Sequence, residues 1–489
     1  MGSVPAMHRT PLVAVALAAA VLVAGCDDKP AASPPAATAS AAAPVATTID
    51  YTAWDKGRST PVADPIYPQH GNAGLDVLHY GLKLNWAPAT TTLTGTATIQ
   101  VRPVQDATTI TLDFKPYTLD GVTVDDVTAD AAVQNEKLVV RHPVTADQPV
   151  TLVVAYHGKP ATTPFPTHRG DAEPLGLTIT KDKGLWTMQE PYGAYTWHPA
   201  NDQPSDKALY DVSVTVPAGY SAISAGTPAG VQGATFAYRS DEPMSSYLQT
   251  LAVGKYRKVT AKGPGGTPLT YWYRPGTDDK LLPSLRKSPQ FLSFLEQRFG
   301  PYPFATGGIL LVDSESGMET QQMITMGGKI KKLDAAGFET DLLHEYAHQW
   351  FGDTVTTSTW TDLWLNEGWA TYIQFLWEQQ QVHFSDRALE DFLRKADADL
   401  RKKLGPPGHP QAANFAEGNV YDCPAAMLKE LNDALGDAKF FALAKAWVQT
   451  QRYTQQDRAS FIAFVNKQTG KDFTKLINLW LDSKTTPKP

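Results

Sequence analysis

The chain has 489 residues, 42% of them hydrophobic and 19% charged, with a formal net charge of −7 and a pI near 5.9. That length exceeds what one small core needs, so two or three packed domains are expected. The acidic balance, without a basic run or stacking motif, excludes a nucleic-acid binder, whose phosphate contacts demand clustered Lys and Arg.

At the N-terminus, Arg9 precedes the apolar run Pro11 to Val23, which fits the core of an export signal and is too short to span a bilayer. Val23-Ala24-Gly25-Cys26 resembles a bacterial lipoprotein cleavage box, which implies removal of residues 1–25 and acylation of Cys26. On that reading the mature chain is anchored to the bacterial cell envelope and faces the periplasm. One acyl chain holds only marginally, so the anchor requires several. Residues 26–49 are rich in Ala, Pro, Ser and Thr; they bury too little to order themselves and read as a tether. Cys423, the second of two cysteines, has no partner and is expected to be buried beside Met427.

From about residue 70 the pattern has period two: Tyr80, Leu82, Leu84 and Trp86 share one face, with His79, Lys83 and Asn85 on the other. Similar alternation recurs at Ala97, Ile99 and Val101 and at Val212, Val214 and Val216, while Leu152 to Ala155 is apolar on both sides. Residues 50–257 therefore read as a β-rich domain, a sandwich or saddle. Helical spacing takes over at Leu281 to Phe299 and dominates from Phe338 onward, so residues 258–489 form a second, mainly helical domain of an α+β multidomain protein.

Inside that helical region lies His344-Glu345-Tyr346-Ala347-His348. Histidines four residues apart stack on one helix face, so both imidazoles reach a single cation, and Glu345 is placed to act as a base on water. Trp364-Leu365-Asn366-Glu367-Gly368 opens a second helix, whose Glu367 completes a two-histidine, one-carboxylate set for one Zn2+. Gly368 presents no side chain against a neighbouring helix.

The run from His344 through Gln349-Trp350-Phe351-Gly352-Asp353, followed by Trp364 to Tyr372, resembles the signature of the M1 gluzincin aminopeptidases. The resemblance covers most of the chain from about Gly74 to Leu481. It implies an N-terminal β-saddle, a thermolysin-like catalytic domain, and release of N-terminal residues from peptides with a free amine. Ser316-Gly317-Met318-Glu319-Thr320 is similar to the family's G-A-M-E-N segment, which makes Gly317 and Met318 substrate contacts and Glu319 an anchor for the α-ammonium. Thr187 to Pro204 is similar to the loop that brings a second anchor, here Glu190, although the usual arginine near position 195 is Tyr195. Asn419-Val420-Tyr421 matches the segment of the catalytic tyrosine, with Cys423 and Pro424 in place of the usual basic residue and glycine.

The resemblance further implies that Glu345 takes and returns the proton while Tyr421 stabilises the oxyanion. No room remains after Leu481 for the long C-terminal helical domain of many relatives, so an open cleft is expected. The alternatives are an endopeptidase, an epoxide hydrolase and a non-catalytic peptide-binding scaffold. Intact His344, Glu345, His348 and Glu367 speak against the scaffold, and Glu319 against the endopeptidase.

Overall fold

The computed structural model describes residues 50–329 and 334–488; the export signal, Cys26 and the tether lie outside the described residues. Alternation puts Tyr80, Leu82, Leu84 and Trp86 on the buried side of the strand Leu75–Ala87. Its neighbours are Thr92–Pro103, antiparallel, and Lys207–Thr215, parallel, with Leu82 opposite Ala97 and Val212. They sit within an eight-stranded sheet ordered Thr227–Gln232, Thr235–Ser245, Lys207–Thr215, Leu75–Ala87, Thr92–Pro103, Val150–Gly158, Thr118–Val124, Val127–Thr128.

His79, expected on the open face, is instead buried under the 3₁₀ turn Tyr51–Gly57, with its ring 5.6 Å from Trp54 and Nε2 3.1 Å from Asp211. Leu152 to Ala155 also differs from expectation: it alternates buried and half-buried residues, because only one face of the sheet meets the core.

A four-stranded sheet follows the order Ser221–Ser224, Leu251–Gly254, Leu185–Met188, Gly176–Ile179, and its strand Leu185–Met188 leads into Gln189 and Glu190. A five-stranded sheet, ordered Arg257–Lys262, Pro268–Tyr273, Gly307–Val312, Met323–Gly327, Gly317–Met318, opens the second half of the chain. Gly307–Val312 runs parallel to both neighbours and is buried throughout, as its unbroken apolar sequence requires.

Helices then take over. The periodic stretch from Leu281 to Phe299 is split into α1 (Leu282–Leu285) and α2 (Ser288–Phe299), since the Pro289 ring would clash with the carbonyl four residues back in a continuous helix. There follow α3 (Ala335–His348), α4 (Trp364–Val382), α5 (Asp386–Leu404), α6 (Asp422–Leu435), α7 (Asp437–Thr450), α8 (Arg458–Thr469) and α9 (Thr474–Asp482). Asp334 caps α3 by accepting from the Gly337 amide at 2.9 Å. No helix among the described residues is long and apolar enough to cross a membrane.

Two apolar clusters hold the molecule together. One fills the β-rich part and continues into Leu310, Val312, Met318, Trp360 and Phe415 of the second half. The other joins the helices around Trp350, Trp364 and Trp369. The Trp369 ring stacks on Phe351 at 4.6 Å and on Phe440 at 5.3 Å, which fixes α4 against the end of α3 and against α7. Such aromatic pairs contribute about 0.5–1.5 kcal/mol each beyond area burial.

Candidate active site

His344 and His348 lie one turn apart on α3, and Glu367 lies in the first turn of α4. The two Nε2 atoms are 3.0 Å apart and each is 3.3 Å from Glu367 Oε2. His344 Nδ1 is 3.0 Å from Gln374 Oε1, and His348 Nδ1 is 2.9 Å from the Phe351 carbonyl oxygen. Those oxygens only accept, so the network assigns each ring a proton on Nδ1 and turns both Nε2 atoms toward Glu367. Three electron-rich donors meeting in a buried space are the donor set of a cation, held by hydrogen bonds from behind. Burial would lower the His348 pKa, but the Glu367 and Glu319 carboxylates push it well above the ordinary histidine range, so the cluster attracts positive charge.

Glu345 follows His344 on α3 and is turned about 100° from it around the helix axis. A Cβ built on Gly317 would stand 2.9 Å from Glu345 Oε1 and 2.9 Å from Met326 Sδ. Gly317 therefore leaves room for the Glu345 carboxylate, a role beyond the substrate contact expected of it. Burial pushes the Glu345 carboxyl well above its ordinary range.

Glu319 is held from behind: Gln349, next after His348, donates to the Glu319 carbonyl at 2.9 Å and accepts from the Gln322 amide at 2.9 Å. Across the cleft, Gln189 donates to the carbonyls of Ser246 and Gln249 and accepts from Trp197, which fixes the backbone beside Glu190. The Gln189 amide lies 3.5 Å from Met318 Sδ. Glu190 and Glu319 each keep a buried Oε1 without a hydrogen-bond partner among the described residues. Burial, then repulsion from Glu319, pushes the Glu190 carboxyl well above its ordinary range, and burial raises Glu319. Two such oxygens suit a cation that donates several hydrogen bonds, as a primary ammonium does.

Tyr421 stands immediately before α6, its ring 6.0 Å from that of His344 and 26° from parallel. Pro424 falls in the first turn of α6, where a missing N–H costs nothing. It packs on Gly368: a Cβ there would lie 2.6 Å from Pro424 Cβ. The nine site residues expected from the sequence, His344, Glu345, His348, Glu367, Glu319, Glu190, Gly317, Met318 and Tyr421, all line one cleft of about 590 Å³. His344 keeps 12% of its side chain exposed, so the cleft opens to solvent.

The sequence reading missed two features. Gln374 lies two turns beyond Glu367 on α4, and that spacing could have flagged it as a partner of the same site. The strap from Phe165 to Leu175 carried no periodic signal, yet it forms one wall of the cleft and brings Arg169 to the Tyr421 hydroxyl at 3.3 Å.

Residues 77–248 match the Peptidase M1 N-terminal domain and residues 284–480 the Peptidase family M1 domain. Aminopeptidase N of Acetobacter pasteurianus is 28% identical over 319 residues, which cover 60% of this chain and 88% of that protein. Aminopeptidase N of Streptomyces lividans is 25% identical over 331 residues, 61% of this chain and 38% of that protein. The chain spans between 22% and 50% of the length of the first three curated relatives it matches. Among solved structures, a mutant M1 zinc metallopeptidase from Deinococcus radiodurans bound to a Tyr-Ser-Ala substrate aligns with a TM-score of 0.77 at 26% identity, covering 88% of this chain and 99% of that one. Yeast LTA4 hydrolase, at 19% identity and a TM-score of 0.69, shares the fold. Both domain matches fall in chain order over well more than half the sequence, and the β-rich and helical halves align with two-domain structures of the same family: the chain belongs to peptidase family M1.

Proposed function

We propose that this protein is a zinc-dependent aminopeptidase that removes N-terminal residues from peptides. The observation that carries the reading is the pair of buried, unpartnered carboxylate oxygens of Glu190 and Glu319 in the same cleft as the converging His344, His348 and Glu367. Two imidazoles and one carboxylate fit a catalytic zinc with a position left open. Bound there, zinc supplies Lewis acidity, polarising a carbonyl oxygen and lowering the pKa of a coordinated water from about 15.7 to about 7.

The residues of the chain do the rest. Glu190 and Glu319 hold the α-ammonium, so that only the first peptide bond reaches the reacting centre. Glu345 accepts the proton of the attacking water and returns it to the leaving amine. The Tyr421 hydroxyl donates to the carbonyl oxygen as negative charge develops on it. The aminopeptidase names of the relatives and the peptide in the related structure support this reading. A carboxylate pair at the amine end disfavours substrates whose chain continues beyond it, which ranks endopeptidase action second.

Amino-acid naphthylamides and their N-acetylated forms, assayed with chelator and with zinc restored, test the proposal. Chelator-sensitive cleavage of the free-amine substrates alone is expected; equal cleavage of the acetylated forms would remove the amine-anchor role from Glu190 and Glu319. Export and lipid anchoring at Cys26 are proposed on the sequence alone, and mass spectrometry of the membrane-extracted N-terminus tests them.

A further inference from the structure

We infer that Arg169 is a positioning residue for Tyr421: it occupies the acceptor side of the phenol oxygen and thereby turns the hydroxyl proton into the cleft. The inference rests on the proposed role of Tyr421 as donor to the substrate carbonyl.

A tyrosine hydroxyl has one proton to give and lone pairs to receive with, whereas a guanidinium only donates. The 3.3 Å contact from Arg169 Nη1 therefore fixes the Tyr421 oxygen as acceptor at that side and leaves its proton for another partner. Glu190, Glu319 and Glu367 line the same cleft, so the direction in which the phenol proton points decides whether it is free for the substrate carbonyl. A cation bound to its oxygen also polarises the O–H bond and makes it a stronger donor toward a developing oxyanion.

The guanidinium is itself preset. Nε and Nη2 donate to the two oxygens of Asp171 at 3.0 and 2.6 Å, and Nη1 donates to the Ala416 carbonyl at 3.2 Å as well as to Tyr421. Four of its five N–H groups are thus engaged, so Arg169 is not available as a bidentate clamp for a substrate carboxylate, although among the described residues lining the cleft it is the single lysine or arginine. The strap that carries it is tied to the loop before Tyr421. The Phe415 amide donates to the Pro166 carbonyl at 3.0 Å, and the His168 amide and the Thr167 hydroxyl donate to Glu417 at 3.1 and 3.2 Å. Ala416, between those anchors, is held at a φ of 53°, a left-handed conformation that is unfavourable for a non-glycine residue. Surrounding contacts must impose it, and its carbonyl is the one that receives Arg169.

The test is a double-mutant cycle on the full-length, zinc-loaded protein, with a free-amine naphthylamide as substrate. Arg169→Met is expected to lower kcat about tenfold or more with KM changed less than about threefold, the pattern of an interaction made in the transition state. Arg169→Lys, which keeps the charge, is expected to recover part of that loss. In a Tyr421→Phe background, removing Arg169 is expected to cost less than about threefold further, because the group it positions is gone. Equal losses in both backgrounds, or a rise in KM alone, would overturn the inference. Should Tyr421→Phe be as active as the parent, the proposed role of Tyr421 fails first. Melting temperature and bound zinc, measured on every variant, separate these outcomes from unfolding.

Discussion

Glu345 and Glu367 are both buried carboxylates beside the same two histidines, yet their geometry predicts different failures. Glu367 Oε2 stands 3.3 Å from both Nε2 atoms, so Glu367→Ala removes a donor and is expected to release the metal, as elemental analysis after dialysis would show. Glu345 faces Gly317 and lies outside that donor set, so Glu345→Gln is expected to retain the metal while turnover falls about 10²–10⁴-fold. Full activity in Glu345→Gln, or full metal content in Glu367→Ala, would reassign the residue. Glu345 was legible in the sequence because a helix fixes the relation between positions one to four residues apart, whereas Glu367, on the next helix, was legible through the resemblance of its segment to the M1 signature. Arg169 was not, because its contact with Tyr421 spans 252 positions and depends on a loop whose path no local pattern encodes.

At the scale of elements, the α4–α6 crossing positions Glu367. Gly368→Ala would drive its Cβ to within 2.6 Å of Pro424, and the start of α4 would have to move. A loss of about 1–3 kcal/mol in unfolding free energy is expected, with weaker metal binding as the second readout. The sequence exposed the need for a small residue at Gly368 but not the surface it meets.

A second element-level link is Lys207, at the start of the strand Lys207–Thr215, which donates to the carbonyls of Asp353 and Thr354 beyond α3 at 2.8 and 3.3 Å. Burial draws its amine from 10.5 down to about 7. Between those values the unfolded chain binds the extra proton, so the cost of burying Lys207 is absent above pH 10.5, grows as pH falls and is complete below about pH 7. Chemical unfolding at pH 7 and pH 9.5 should therefore show the parent gaining stability relative to Lys207→Met as pH rises. A difference that does not move with pH would mean that the amine titrates normally.

Across the whole molecule, the change from period two to helical spacing was readable, but the seam between the halves was not. Leu310, Val312, Trp360 and Phe415 share an apolar cluster with the β-rich part, and the Trp360 amide donates to Asp64 at 2.6 Å. Periodicity shows that a residue is buried and not which half covers it. Because that cluster is shared, the two halves are expected to unfold together, in a single calorimetric transition. Two separated transitions would show the halves unfolding independently.

Glu190 follows a strand of the four-stranded sheet, whereas Glu319 follows a strand of the five-stranded one. The pair is therefore a caliper with one jaw on each half of the molecule, and the contact of Met318 Sδ with the Gln189 amide is its stop. A slight shear of the halves would widen the gap without altering either jaw. Substitutions in the seam, remote from the metal ligands, should then loosen the demand for a chain end before they slow bond cleavage, which would make the proposed exopeptidase selectivity a property of how the two halves are aligned.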